Sequence, residues 1–131
     1  MRILIANDDG IASEGLLHLA RAAARIGETI VVAPKTQCSS MSQRISVFGS
    51  IELHEEKDFG VEGVRAYSLS GTPADCVKVA LARVMEERPD IVLSGINNGY
   101  NVGLDILYSG TVGATMEALA HGIPAMAFST D

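Results

Sequence analysis

The chain has 131 residues, is 47% hydrophobic, and carries ten Lys and Arg against sixteen Asp and Glu, a net charge of −6. That is the length of one domain with enough apolar content for a core, and the acidic balance excludes a protein that grips a nucleic acid backbone, which needs surplus cations to neutralise phosphates. No run approaches the roughly 18 apolar residues of a membrane span, and Met1-Arg2 leads directly into an apolar segment rather than a signal peptide, so a single cytoplasmic domain over 1–131 with no membrane partner is expected.

In chain order, "RILIAN" (2–7) is a short continuous apolar run suited to a strand buried on both faces. It ends in Asn7-Asp8-Asp9-Gly10. Ser13 or Glu14 starts a helix with Leu16, Leu17, Ala20, Ala23 and Ala24 on its apolar face and Gly27 placed to end it. "TIVVAP" (29–34) is a second buried strand stopped by proline. The polar, serine-rich stretch from Lys35 to about Arg44 is too long for a tight turn and is a candidate functional loop.

"SVFGSIELHE" and "GVRAYSLS" are expected to pair as a hairpin or edge region across "EEKDFG". "GTPADCVKVALARVMEERPD" follows as a helix. Thr72 caps it, Pro73 takes its first position, Asp75 completes a capping box, and Pro89 stops it. Cys76, Val77, Ala80, Leu81 and Val84 form its apolar face. "DIVLSG" (90–95) is another buried strand leading into "GINNGYNVG", "SGTVGATMEALAHG" is a helix entered at Ser109-Gly110-Thr111, and "IPAMAFS" (123–129) is the last strand. Met116 and Met126 are expected in the core. The two cysteines, Cys38 and Cys76, lack the density of a disulfide scaffold and the spacing of a zinc site, so both are expected as free thiols. Cys38, next to Ser39, is a candidate for exposure near a metal, but it has no paired base and so is not expected to be a nucleophile.

Strands separated by helices indicate an α/β domain with a mostly parallel sheet, and such sheets bind ligands outside the carboxyl ends of their strands. The segments expected at that edge are 7–10, the loop around Ser39 and Ser40, 95–101, and 129–131. A polar turn is the plain interpretation of Asn-Asp-Asp-Gly. Gathered carboxylate, hydroxyl and amide oxygens, however, form the hard-ligand set that Mg²⁺ or Mn²⁺ prefers, and a divalent cation relieves the repulsion between adjacent aspartates. The helix start at 109–111 offers free N–H groups and a positive dipole end to an anion. Metal and anion together imply phosphate.

"ILIANDDG", "VVAP" with Ser39 downstream, "GTPADCV", "SGINNGYNVG" and "YSGTVGA" occur in an order that resembles the SurE (survival protein E) nucleotidases over nearly the whole chain. The resemblance implies a Rossmann-like three-layer α/β sandwich and a metal-dependent phosphatase acting on nucleoside 5′- and 3′-monophosphates. It implies one divalent metal, Mg²⁺ or Mn²⁺, on Asp8, Asp9, Ser39 and Asn97, with Asp8 or Asp9 acting on the water. It further implies that Ser109, Gly110 and Thr111 line the phosphate pocket, with Asn7, Ser40 and Asn101 supporting substrate and loops, and that the protein is a homodimer or homotetramer.

The chain departs from the family at three points. Ser13-Glu14-Gly15 replaces an Ala-Pro-Gly step, Arg44 stands where a serine is usual, and family members continue past the strand ending near Ser129, so the chain is expected to be the N-terminal part of a longer protein. The rival from another class is a receiver-like signalling domain, which also has an acidic pair after its first strand. It would need an aspartate after the third strand, where Ser70-Gly71-Thr72 stands, and a lysine after the fifth. A dinucleotide-binding domain is disfavoured because "NDDGIASEG" replaces the glycine-rich phosphate turn.

Overall fold

A computed structural model describes all residues 1–131. Six strands, β1 (Arg2–Ala6), β2 (Glu28–Pro34), β3 (Leu53–Glu55), β4 (Arg65–Leu69), β5 (Ile91–Asn98) and β6 (Ala125–Thr130), form one sheet in the order β3-β4-β2-β1-β5-β6. All neighbours are parallel except the antiparallel pair β3–β4. Helices α1 (Glu14–Ala24), α2 (Pro73–Val79), α3 (Asp105–Tyr108) and α4 (Gly110–Ala120) connect them.

Successive strand residues point to opposite faces, and β1 divides its side chains accordingly. Ile3 and Ile5 pack with Leu16, Leu19, Ala20 and Ala23 of α1. Leu4 and Ala6 pack with Cys76 and Val77 of α2 and Ala114 and Ala118 of α4. The sheet is therefore the middle of three layers, and the unbroken apolar run of β1 follows from burial on both sides. No helix is long and apolar enough to cross a membrane.

Several boundaries differ from the sequence expectation for identifiable reasons. The buried stripe of α1 takes Leu19 in place of Leu17 and Ala24, because i, i+3, i+4, i+7 spacing from Leu16 gives 19, 20 and 23. The hairpin forms, but Ser46–Ser50 is irregular and exposed, and only Leu53–Glu55 pairs with β4. The helix after Thr72 widens into a π-helical turn at Ala80–Val84 and ends there, five residues before Pro89, as Met85 turns to extended backbone. The strand after Asp90 continues through an irregularity between Ser94 and Asn97 to pair with β6 again at Asn97–Ser129, so Asn97 stands on a strand rather than in a loop. Asp105 begins the short helix α3. Met116 and Met126 are half-exposed on the α4–β6 flank and do not belong to the core. Cys38 and Cys76 are both buried free thiols.

The start of α2 controls the serine-rich loop. Thr72 Oγ1 accepts from Asp75 N at 3.1 Å, and Thr72 N donates back to Asp75 Oδ2 at 2.9 Å, which completes the capping box. The same buried carboxylate also accepts from Ser46 N at 2.8 Å and Ser46 Oγ at 2.7 Å, and Thr72 Oγ1 donates to Arg44 O. Burial pushes the Asp75 carboxyl up, but the hydrogen bonds from Ser46 and Thr72 outweigh it and hold it below the ordinary carboxylate range.

A depressed folded-state value means that this contribution is complete above the unfolded value of about 3.9 and is lost as pH falls through the folded one. Asp75→Ala is expected to lower unfolding free energy by about 2–3 kcal/mol at pH 7, since buried donors lose a charged acceptor. The deficit relative to wild type should shrink below pH 4, as measured by denaturant unfolding across pH. A deficit that is constant from pH 7 to pH 3 would overturn the assignment.

Candidate metal and phosphate site

In the strand order, the chain proceeds from β1 outward through β2 and β4, then returns to lay β5 and β6 on the other side of β1. The crevice beyond the carboxyl ends of β1 and β5, where the strand order reverses, is the position at which open α/β sheets bind ligands. Ala6 lies beside Ser94 in register, so the residues leaving β1 meet those finishing β5.

The turn after β1 is shaped by Asn7, which is completely buried. Its Nδ2 donates to Gly10 O and to Ser13 Oγ, both at 2.9 Å, and its Oδ1 accepts from Gly10 N at 3.2 Å. Gly10 has φ +100° and lies so close to the backbone at Thr36 that the turn requires glycine. Asn7 thus ties the turn to the cap of α1, and Asp8 and Asp9 are carried on this rigid corner.

The two aspartates are held from opposite sides. Asp8 is buried and accepts from Thr111 Oγ1 at 2.7 Å. Asp9 is less buried and accepts through Oδ2 from the backbone N–H of Asn98 at 2.9 Å. Burial raises the Asp8 carboxyl above its ordinary value; the Thr111 hydrogen bond opposes the rise, and the charge of Asp9 adds to it. Such a carboxylate is stabilised by a nearby cation.

Ser39 and Asn97 arrive through their neighbours. Cys38 N donates to Asp8 O at 2.7 Å, which brings exposed Ser39 next to the first aspartate. Asn97 Nδ2 donates to Gly99 O at 2.8 Å, so its carboxamide nitrogen is committed and its oxygen is the free end. Ser40 is exposed with φ +56°. Asn101 Nδ2 donates to Ser129 Oγ at 2.6 Å and anchors the loop after β5 to β6.

Ser109, Gly110 and Thr111 are buried at the start of α4. Ser109 Oγ accepts from Val112 N at 3.2 Å as the helix cap, and the Thr111 hydroxyl is spent on Asp8. A Cβ on Gly110 would stand 3.0 Å from Asp8 Cβ, so glycine is what lets the helix start approach the aspartate. What Gly110 and Thr111 offer an anion is therefore backbone, since the first N–H groups of a helix have no intrahelical acceptor; Ser109 N already donates to Asp105 O at 3.0 Å.

The donor set fits a hard divalent cation. Asp8 and Asp9 each keep one carboxylate oxygen outside the bonds just described, Ser39 offers a hydroxyl, and Asn97 offers an amide oxygen. All four are oxygen ligands of the kind Mg²⁺ and Mn²⁺ take. The Cys38 thiol is buried, and burial together with the charges of Asp8 and Asp75 raises it, which keeps it protonated and unsuited to nucleophilic attack.

Sequence reasoning missed three supports: the Asn98 N–H on Asp9, the Cys38 N–H on Asp8, and Asp75 as anchor of the serine-rich loop. The capping-box spacing at Thr72 was the only available signal for the last. The first two are backbone groups without a residue signature.

Thr111→Val keeps the side-chain volume but removes the Asp8 hydrogen bond, and loss of such an orienting partner weakens metal binding by about tenfold or more. Calorimetric titration with Mn²⁺ is expected to show that loss, and an unchanged affinity would exclude Thr111 as the group that orients Asp8.

A family profile described as Survival protein SurE matches residues 3–131. The 5′-nucleotidase SurE of Methanopyrus kandleri is 51% identical over 131 residues, covering 100% of this chain and 49% of that protein. The 5′-nucleotidase SurE of Clostridium beijerinckii is 48% identical, covering 100% and 51%. The crystal structure of the SurE protein from Aquifex aeolicus superimposes with a TM-score of 0.87 at 39% identity, over 98% of this chain and 50% of that one. The chain spans about half the length of the relatives it matches. A profile that covers all but the first two residues, together with five motifs in order and the same fold, shows that this chain belongs to the SurE family.

Proposed function

We propose that the chain forms the metal- and phosphate-binding core of a phosphomonoesterase that converts nucleoside 5′- and 3′-monophosphates to nucleoside and phosphate. What supports this is that the turn bearing Asp8 and Asp9 is bonded to the start of α4 through Thr111, to the loop bearing Ser39 through Cys38 N, and to the end of β5 through Asn98 N. The relatives named above are 5′-nucleotidases, which fits the same chemistry.

Asp8, Asp9, Ser39 and Asn97 would hold one divalent cation, Mg²⁺ or Mn²⁺, which supplies a water of lowered pKa and offsets charge on the phosphoryl oxygens. Asp8 is fixed by Thr111 and buried, so its role is to hold position. Asp9 is the more accessible carboxylate; it would hold the cation through the oxygen not bonded to Asn98 and so orient the attacking water beside it. The N–H groups of Gly110 and Thr111 take phosphoryl oxygens at the positive end of the α4 dipole. Asn7 and Asn101 keep the two loops in register, and Ser40 contributes from the rim of the serine-rich loop. The same proposal carries a homodimeric or homotetrameric assembly in the cytoplasm.

A receiver-type role has no support at the corresponding position, because Thr72, where the turn after β4 would need its aspartate, is spent capping α2.

Protein supplied with Mn²⁺ or Mg²⁺ is expected to release phosphate from AMP. EDTA should abolish that release and added metal restore it, and Asp9→Asn should lower kcat/KM by about 10²–10³-fold. Hydrolysis that survives EDTA or the Asp9→Asn change would overturn the assignment.

A further inference from the structure

Glu117 is a buried carboxylate in the second half of α4, away from the end assigned to phosphate. Its two oxygens have different partners. Oε1 faces Lys78 Nζ of α2 at 3.7 Å and His121 Nε2 at 3.2 Å, whereas Oε2 accepts from Gln43 Nε2 at 3.2 Å. A buried carboxylate needs charged or hydrogen-bonded partners, and the basic groups gather at Oε1. Oε2 instead holds the amide of an exposed residue in the serine-rich loop.

That loop is strained where it carries Ser39. Ser40 and Ser42 have φ of +56° and +51°, a left-handed conformation that is costly for a residue with a Cβ and persists only where the surroundings impose it. Upstream of the strain, Cys38 N is fixed to Asp8 O at 2.7 Å. Downstream, Ser42 bonds to the carbonyls of Leu107 and Tyr108 in α3, a four-residue helix with no buried residue.

Of the hydrogen bonds made by residues 39–43, the one from Gln43 to Glu117 alone reaches α4, whose Ala114 and Ala118 belong to the core. The Ser42 carbonyl lies against Gly113, one helical turn before Glu117, so residues 42 and 43 follow the side of that helix. The first turn of α4 holds Asp8 through Thr111, and its middle holds the turn that bears Ser39. One rigid element thereby sets the positions of two proposed metal ligands.

We propose that Gln43 is a positioning residue: through Glu117 it clamps the strained serine turn to α4 and fixes Ser39 where it meets a divalent cation held by Asp8 and Asp9. The inference rests on the metal assignment above. It is tested by calorimetric titration with Mn²⁺, together with hydrogen exchange at the Ser42 amide in the metal-free protein. Gln43→Ala is expected to weaken Mn²⁺ binding about tenfold, the range for losing an orienting outer partner, and to speed exchange at Ser42. Gln43→Glu sets two carboxylates face to face and should weaken binding at least as much; adding Glu117→Gln supplies a donor to the new carboxylate and should restore affinity to within about threefold of wild type. Lys78→Met and His121→Ala remove only partners of Oε1, so they should lower thermal stability while leaving Mn²⁺ affinity within about twofold. An unchanged affinity in Gln43→Ala, no rescue in the exchanged pair, or an equal loss in Lys78→Met and His121→Ala would overturn the clamp, the last by showing that Glu117 acts through stability alone. Absence of Mn²⁺ binding in the wild-type protein would instead remove the metal assignment and the clamp with it.

Discussion

The hydrogen bond from Thr111 Oγ1 to Asp8 Oδ1 joins the two parts of the molecule that must meet for the site to exist. Asp8 follows the central strand, and Thr111 lies in the first turn of a helix about a hundred residues later in the chain. Their contact sets the depth at which a buried carboxylate stands and brings the N–H groups of α4 alongside it. The contact depends on Gly110, because a side chain there would press on Asp8, Pro73 and the Cys38 carbonyl. A charge buried with Asp9 as its neighbour is costly unless it is hydrogen-bonded or paired, and the surroundings supply a hydroxyl on one side and a backbone N–H on the other aspartate.

The serine-rich loop is positioned by a different device. It has almost no regular structure between Pro34 and Leu53, yet it is fastened along its length. Cys38 N is bonded to the Asp8 carbonyl, Ser42 reaches the carbonyls of Leu107 and Tyr108, and Arg44 and Ser46 are held at the α2 cap. Gly113 admits the Ser42 carbonyl where any side chain would block it. Asp75 thereby serves two purposes, capping the start of α2 and fixing a loop that carries a proposed ligand, Ser39. The loop can be exposed and polar without losing its course, because the fastenings are distributed over three separate elements.

Asn97 illustrates how local irregularity places a side chain. The β5–β6 ladder is interrupted between Ser94 and Asn97 and resumes at Asn97 and Ser129. Such an interruption re-aims residues at the end of a strand. Beyond it the Asn98 N–H donates to Asp9, and Asn97 commits its amide nitrogen to Gly99, which leaves its amide oxygen uncommitted.

Much of this was legible from residues alone. Continuous apolar runs marked β1, β2 and β5 as strands buried on both faces, because no alternation is needed where both sides are covered. Ser13, Thr72 with Pro73 and Asp75, and Ser109 marked helix starts, since capping is a local interaction between residues three apart. Asp8 and Asp9 stood out because adjacent like charges at the end of a buried strand need a reason. The residues that hold those aspartates were not legible. Backbone N–H groups at Cys38 and Asn98 have no residue identity, and the distance in sequence from Asp8 to Thr111 conceals their contact. The extension of β5 to Asn97, the early end of the helix at Val84 and the exposure of Met116 and Met126 follow from which surfaces meet in space, and that is settled by packing between elements rather than by the preference of any one of them.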